Sequence, residues 1–317
     1  MHRRFALILC FMMWVFALGA QSGLNRFLLP SDSLNKKRLH QGIAFSALTY
    51  SAFSIGLYQA WYKNGDLGKF HFFNDLGEWK NMDKMGHVYD GYFQSDLCFR
   101  GAKWAGLSDR KAMWVGVGMA NLFQTTIEVY DGYSNKWGFS WADISSNLIG
   151  SGFFLTQQLL WKEQRILLKF SSHVENYKNY NDDIQERVKA LNGNSIGEKL
   201  LKDYNAQTYW ISFNPSLFYS KSKWPAFLNF AVGYGANNLF GGYKNEWTNN
   251  QGNQIVLDKN IYPRGNEYYL SLDLNLTKIP VKNRFLKSTL YVLNIFKIPA
   301  PTVGIKHGRV DFNFLYY

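Results

Sequence analysis

The sequence predicts an α+β protein, an N-terminal helical bundle followed by a small antiparallel β-sheet region. Three features carry that prediction. Apolar and aromatic residues recur at helical spacing in the first half, as at Met85, Val88, Tyr89, Tyr92 and Phe93. Beyond Gln207 the period becomes two, as in Tyr268-Tyr269-Leu270-Ser271-Leu272-Asp273-Leu274. Between them, residues 162–207 are charged and amphipathic, which suits a connector. Helices first and strands after is the order of an α+β chain.

The composition supports a folded chain. Of 317 residues, 47% are hydrophobic and only 18% charged, a balance that excludes disorder. Aromatic residues reach 18%, with 11 Trp, 20 Tyr and 25 Phe, a load that suits membrane-interface belts or girdles. The net charge of +12 favours anionic partners such as lipid headgroups.

Residues 1–20 read as a secretory signal peptide. Arg3 and Arg4 precede an apolar run from Phe5 to Leu18, and Gly19-Ala20 ends it, with cleavage expected after Ala20. Cys10 follows bulky Leu9 within that run and is not expected to be lipidated. Loss of the signal leaves Cys98 alone, so no intramolecular disulfide is expected.

The helical bundle is expected over residues 34–161, in or against a membrane. Its first segment, Gly42 to Tyr62, is uncharged and about 20 residues long, bracketed by Lys36, Lys37 and Arg38 and by Lys63. It reads equally as a membrane-inserted helix or as the buried centre of a bundle, since Ser46, Thr49, Ser51 and Ser54 suit close helix packing. Further helices are expected at Asp83–Trp104, at Arg110–Tyr130 with Ser108-Asp109 as cap, and at Trp141–Trp161 capped by Ser140. Gly150 and Gly152 permit close approach of the last.

Within the connector, Asp183–Leu191 and Ile196–Tyr204 read as helices around an Asn192-Gly193-Asn194 break. Residues 208–317 form the β-rich region. Strands are expected at Tyr209–Phe213, Phe227–Tyr234, Tyr268–Leu276 and Val310–Tyr317, with Gly233–Asn238 and Asn249–Asn253 as turns. Lys287–Phe296 reads as a short helix. The terminal Phe314-Leu315-Tyr316-Tyr317 invites comparison with outer-membrane barrels, but four to six strands fall below the ~8 of the smallest barrels. A small twisted sheet, seated on a membrane surface, is expected instead.

The chemistry-bearing residues are sparse: Asp83, Lys84 and His87, then Glu128 and Asp131, then Asp143 and Asn147. Each group is spaced three or four apart and so shares a helix face. Three helices that each bring one such group predict a single polar pocket, because unpaired charges in an apolar bundle are costly. One reading is structural: Asp83 caps its helix, Ser140 and Asp143 form a capping box, Lys84 pairs with Glu128 or Asp131, and His87 is a satisfied core residue. The other is catalytic, with Asp83 orienting His87 as a general base and Glu128 or Asp131 as second acid. A divalent metal is compatible with these donors, but nothing in the spacing calls for one, and no cofactor is expected. Asp90, Gln94 and Asp96 are expected to be solvated or to line a pore.

Four motifs carry a resemblance. Asp83-Lys84-Met85-Gly86-His87, Gly106-Leu107-Ser108-Asp109-Arg110, Glu128-Val129-Tyr130-Asp131 and Gly138-Phe139-Ser140-Trp141-Ala142-Asp143 with Gly150 together resemble the YfiM-type family of predicted periplasmic lipoproteins, a domain of unknown function. More distantly they resemble VanZ-like membrane proteins. The resemblance covers Asp83 to Trp161. That family usually has a lipobox, which is absent here, a Lys where Ile127 stands and an acid where Asn147 stands. Longer proteins of this kind imply an exported protein of the periplasm or outer membrane of a Bacteroidetes-like bacterium. The family supplies no activity.

Nucleic acid and nucleotide partners are excluded by the signal peptide, the scattered basic residues and the lack of phosphate-binding motifs. The first expectation is a membrane-associated structural or interaction protein, with a membrane lipid or an outer-membrane protein as partner. The alternative is a membrane-surface hydrolase or transferase acting on an anionic lipid, glycolipid or cell-wall fragment through the Asp/His/Glu pocket.

Overall fold

The computed structural model describes residues 21–63, 67–219 and 223–316. The signal peptide therefore lies outside the described residues. The fold is α+β, as expected, with eight α-helices and a six-stranded antiparallel sheet among the described residues.

Helix α1 (Gln21–Leu28) and helix α2 (Lys36–Leu57) lead into a π-helical turn at Tyr58–Tyr62. Asn35 caps α2 by accepting from the Arg38 amide at 3.1 Å. The buried-centre reading of the Gly42–Tyr62 segment does not hold. No residue of α2 is buried, and Phe45 and Leu48 are each 71% exposed, so α2 is not a bundle centre. No described helix is long and apolar enough to cross a membrane. The serines and threonines interrupt the apolar run, and contact with the rest is confined to one side, where Tyr50 and Phe53 set their rings edge-on to Phe123.

The helical layer proper is α3 (Met82–Trp104), α4 (Asp109–Tyr133) and α5 (Trp141–Trp161). These match the expected segments within a few residues. Their packing depends on backbone proximity: a Cβ at Gly150 would run into the Val88 carbonyl of α3. Gly152, by contrast, faces open space and plays no part in the approach.

The expected connector contains a strand. β1 (Ile166–Ser172) precedes α6 (Asp182–Asn192) and α7 (Ile196–Lys202) and pairs along its length with β2 (Gln207–Phe213). Lys169 at its centre disguises it, since a central lysine reads as solvated connector; here it is wholly buried. β3 (Leu228–Asn237), β6 (Gly265–Leu274), β7 (Ala300–Lys306) and β8 (Arg309–Tyr316) complete the order β1-β2-β3-β6-β7-β8, while β4 (Glu246–Thr248) and β5 (Gln254–Val256) form a separate hairpin.

Gly233–Asn238 is not a turn, because β3 continues to Asn237. Gly233 makes room rather than reversing the chain: a Cβ there would stand 2.7 Å from the Trp210 ring. The Asn249–Asn253 turn joins β4 to β5 as expected, and the short helix before β7 is α8 (Arg284–Leu293). After α8 the chain lays Ile295 to Lys297 along β1, through Phe170 N to Ile295 O at 3.0 Å and Lys297 N to Phe170 O at 2.9 Å. That contact covers the β1 edge. The sheet curls strongly enough for Tyr316 of β8 to reach Thr208 of β2, oxygen to oxygen, at 3.1 Å. Helix α3 packs on the other side of β1 and β2, where Tyr89 meets Phe170 and Tyr209.

Candidate functional site

The polar residues of the helical layer converge. Lys84 on the first turn of α3 is the hub: its Nζ stands 2.7 Å from Asp75, 2.8 Å from Asp83 and 2.6 Å from Asp143. The expected partners of Lys84 were Glu128 or Asp131; both lie further round and pair elsewhere. One turn along, the His87 Nε2 faces acids from three helices, at 3.8 Å from Asp83, 3.8 Å from Glu128 and 3.5 Å from Asp143. Its Nδ1 lies 3.0 Å from Asn147 Oδ1. Because that oxygen can only accept, it fixes a proton on Nδ1 and turns Nε2 toward the carboxylates.

The capping explanations hold only in part. Asp83 is not an N-cap: the cap position is Asn81, and the Asp83 carboxylate takes Lys84 and the Tyr204 hydroxyl, the latter at 2.8 Å. Ser140 does cap α5, accepting from the Asp143 amide at 3.1 Å. The reciprocal half of a capping box is missing, since the Asp143 carboxylate turns inward to Lys84 and His87. Ser140 also donates through Oγ to Asp75 at 2.6 Å, and its amide donates to Glu128 at 3.1 Å. Asp131 sits at the edge of the cluster, held by the Tyr62 hydroxyl at 2.6 Å.

The surroundings make these groups unusual acids and bases. Burial disfavours a charged His87, yet the carboxylates of Asp83, Asp143, Glu128 and Asp90 outweigh it and hold its pKa at about 9. Burial pushes Glu128 up to about 7 against the pull of His87 and the Ser140 amide. Burial likewise lifts Asp131 to about 6. Asp143 is pushed up by burial and by the charge of Asp83, and it hydrogen-bonds Asp75. Asp75 is held low despite its burial, by that bond and by Lys84. The pair thus behaves as two carboxyls sharing a proton, with Asp143 the holder.

Glu128 Oε1 has no hydrogen-bond donor, with His87 Nε2 3.8 Å away, and the Asn147 amide nitrogen has no acceptor, whereas Asp143 Oδ1 has the Lys84 ammonium at 2.6 Å. Exposure grades across the site: the Asp83 side chain is 27% exposed, His87 13% and Glu128 1%. Asp83 is the most accessible of the three and Glu128 the least. Asp83, His87 and Asp143 also offer three ligand atoms within 4.8 Å of one another, a donor set that fits a divalent cation. The Lys84 ammonium and the His87 imidazolium already supply the positive charge that a cation would bring.

The approach to α3 is strained. Trp79, Lys80 and Asn81 stand at φ of 48°, 56° and 61°, three successive non-glycine residues in the left-handed region. Each costs roughly 1–2 kcal/mol. The turn is pinned by Gly77 N to Asn81 Oδ1 at 2.8 Å and by Trp79 N to Gly242 O at 2.8 Å. Strain of this kind persists where surrounding structure over-determines it, and here it sets Asp83 and Lys84 in place.

Sequence reasoning missed Asp75, which lies in a loop outside any helical pattern, and Tyr62 and Tyr204, whose hydroxyls come from distant elements. It also misplaced Asp90, Gln94 and Asp96. Burial raises the Asp90 carboxyl to about 6, Gln94 Oε1 is buried without a partner, and Asp96 is buried between Arg100 at 3.1 Å and the Tyr291 hydroxyl at 2.8 Å. Those partners lie on the same helix and on α8, which a helix-by-helix reading does not bring together.

Fold and site together define a class: an α+β protein whose helical layer encloses an acid-rich cluster around one lysine and one histidine. Residues 71–158 match the model of a family described as predicted periplasmic lipoprotein (DUF2279). That span carries the cluster from Asp75 to Asn147 and none of the sheet. The expected resemblance is met at this level; its YfiM-type and VanZ-like refinements rest on the four motifs alone. No curated protein and no solved structure matches the chain.

Proposed function

We propose that this is an exported cell-envelope protein of the periplasm or outer membrane whose helical cluster is a proton-transfer centre, used to hydrolyse or transfer a group on an anionic lipid, glycolipid or cell-wall fragment. The match over residues 71–158 supports the compartment. The observation that carries the chemistry is the His87 Nε2 set 3.5–3.8 Å from carboxylates on three different segments. Helix caps would lie apart at separate helix ends; these groups meet. With His87 held near 9 and Glu128 near 7, a protonated imidazole faces a carboxyl that exchanges its proton close to neutrality. His87 is then the general acid and Glu128 the group that takes a proton, with Lys84 holding Asp83 and Asp143 in position. The partial exposure of the Asp83 side chain and the net charge of +12 suit an anionic substrate.

A second reading, a membrane-associated structural protein, is favoured by the saturation of Lys84 with three acids, which alone would fix the register of α3 against α5. One experiment separates them. A strain lacking the protein is complemented with wild type, His87→Gln or Glu128→Gln, and its envelope lipids and glycolipids are compared by mass spectrometry. A species that wild type restores and neither variant restores, at equal protein levels and unchanged circular dichroism, supports the reaction. Restoration by both variants assigns the cluster to structure.

A further inference from the structure

The polarity of the sheet is inverted relative to a protein surrounded by water. Register aligns one continuous outward row across all six strands: Leu168, Ile211, Val232, Leu270, Val303 and Phe312. Every member is apolar. The next outward row on one side runs through Tyr234, Tyr268 and Ile305, and on the other through Phe213, Phe230 and Leu272. The inward rows hold Lys169, Ser212, Ser271 and Thr302 with small residues, Leu167 and three large aromatics, Trp210, Tyr269 and Tyr316. The contrast in exposure decides the direction: Leu270 is 55% and Phe312 63% exposed, whereas Lys169 is 0% and Asp273 1%.

A sheet in water buries its apolar face and wets its polar one. Here the opposite face is buried, and the interior includes a Lys169–Asp273 ion pair at 2.7 Å. Burying such a pair costs several kcal/mol per ion before its attraction is counted. Meanwhile helix α3 covers the outward face only over β1 and β2. On β3, Tyr234 donates to the Lys80 carbonyl and Phe230 stacks on Trp224 at 4.8 Å, while Leu270, Val303, Ile305, Val310 and Phe312 on β6, β7 and β8 stay 42–74% exposed. Apolar-out, polar-in alternation is the pattern of sheets solvated by hydrocarbon, and β3 and β6, at 10 residues each, have the length of such strands.

We propose that the outward face of β3, β6, β7 and β8 is seated in the acyl chains of a lipid bilayer. Three features favour lipid over a protein partner. The surface is the convex side of a curled sheet, since the opposite side brings Tyr316 to Thr208. Its central row, Val232, Leu270, Val303 and Phe312, runs across four strands without a polar residue, and the rows beside it add Leu272 and Ile305. The chain as a whole carries +12, which suits a surface of anionic headgroups. This inference stands on the sheet and does not depend on the chemistry of the helical cluster.

The test uses the full chain with Cys10 and Cys98 replaced by serine. Single cysteines at Leu270 and Val303, and at inward-facing Asn313 as control, receive an environment-sensitive fluorophore. The protein is then mixed with phosphatidylcholine vesicles, with and without phosphatidylglycerol, containing acyl-chain nitroxide lipids. The proposal expects blue-shifted emission and strong nitroxide quenching at the Leu270 and Val303 positions and little at the Asn313 position. It also expects Leu270→Asp/Val303→Asp to stop vesicle flotation while circular dichroism is retained. Equal quenching at all three positions, or emission that ignores lipid because a second copy or another protein covers the face, overturns it.

Discussion

The helical layer and the sheet both bury charge, and they do it in opposite ways. In the sheet, Asp273 accepts Lys169 at 2.7 Å and the Ser212 hydroxyl at 2.6 Å on one oxygen and the Ile298 amide at 3.1 Å on the other. Lys169 spends a further proton on the Leu274 carbonyl at 2.8 Å. One acid meets one base, and both oxygens of the acid are filled. In the helical layer acids outnumber bases, and Glu128 Oε1 has no donor, with the His87 ring 3.8 Å away. A saturated pair holds a shape; an unsaturated, proton-sharing set stores reactivity at a cost in stability. The two halves are alike in hiding polar groups and differ in how the hidden charges are balanced.

The largest effect is expected where saturation is broken. Asp273→Ala leaves Lys169 charged and unpaired in the sheet interior and should destabilise by about 3–5 kcal/mol in denaturant unfolding. The double change Lys169→Met/Asp273→Leu should recover most of that loss. If Asp273→Ala costs no more than a surface change, the sheet pair is not the structural element described. Next, Gly150→Ala should cost about 1–3 kcal/mol by forcing α5 away from α3, and it should enlarge the spacing of Asn147 and Asp143 from His87. A variant with unchanged thermal midpoint would show that the close approach is unnecessary.

The smallest effect in stability, and the sharpest for the comparison, lies in the cluster itself. His87 is raised to about 9 from 6.5, so its contribution is complete below about 6.5 and is lost as pH rises through about 9. Glu128 is raised to about 7 from 4.5, so the fold favours its protonated form and loses that advantage as pH rises through about 7. Asp83 has the opposite sign: lowered from 3.8 to about 2, it contributes above 3.8 and is lost as pH falls through about 2. The thermal midpoint should therefore decline from pH 5 to pH 9. His87→Gln should flatten the upper part of that decline, and Glu128→Gln, which keeps an acceptor for the Ser140 amide, should leave the midpoint at neutral pH unchanged or slightly higher. A midpoint that rises with pH across this range would contradict the proton-sharing description.

Much of this was legible in the chain. Helical spacing located α3, α4 and α5, and the three- and four-residue intervals among Asp83, His87, Glu128, Asp131, Asp143 and Asn147 announced a shared pocket. What spacing does not carry is the partner of each group. Lys84 was expected to meet Glu128 or Asp131 and instead meets Asp75, a residue placed by a loop and a left-handed turn that no periodicity marks. β1 escaped for a related reason, since Lys169 looks like a surface lysine until Asp273, more than a hundred positions on, is folded against it.

Sequence by itself determined that a helical region precedes a β-rich one, the two faces of the strands it located and the identity of the acids and bases, because periodicity and residue chemistry are local properties of the chain. Tertiary structure alone decided which face of the sheet is buried, whether α2 is covered and which carboxylates share protons. Those depend on distances of a few ångströms between segments far apart in the chain, and on the dielectric that their packing creates.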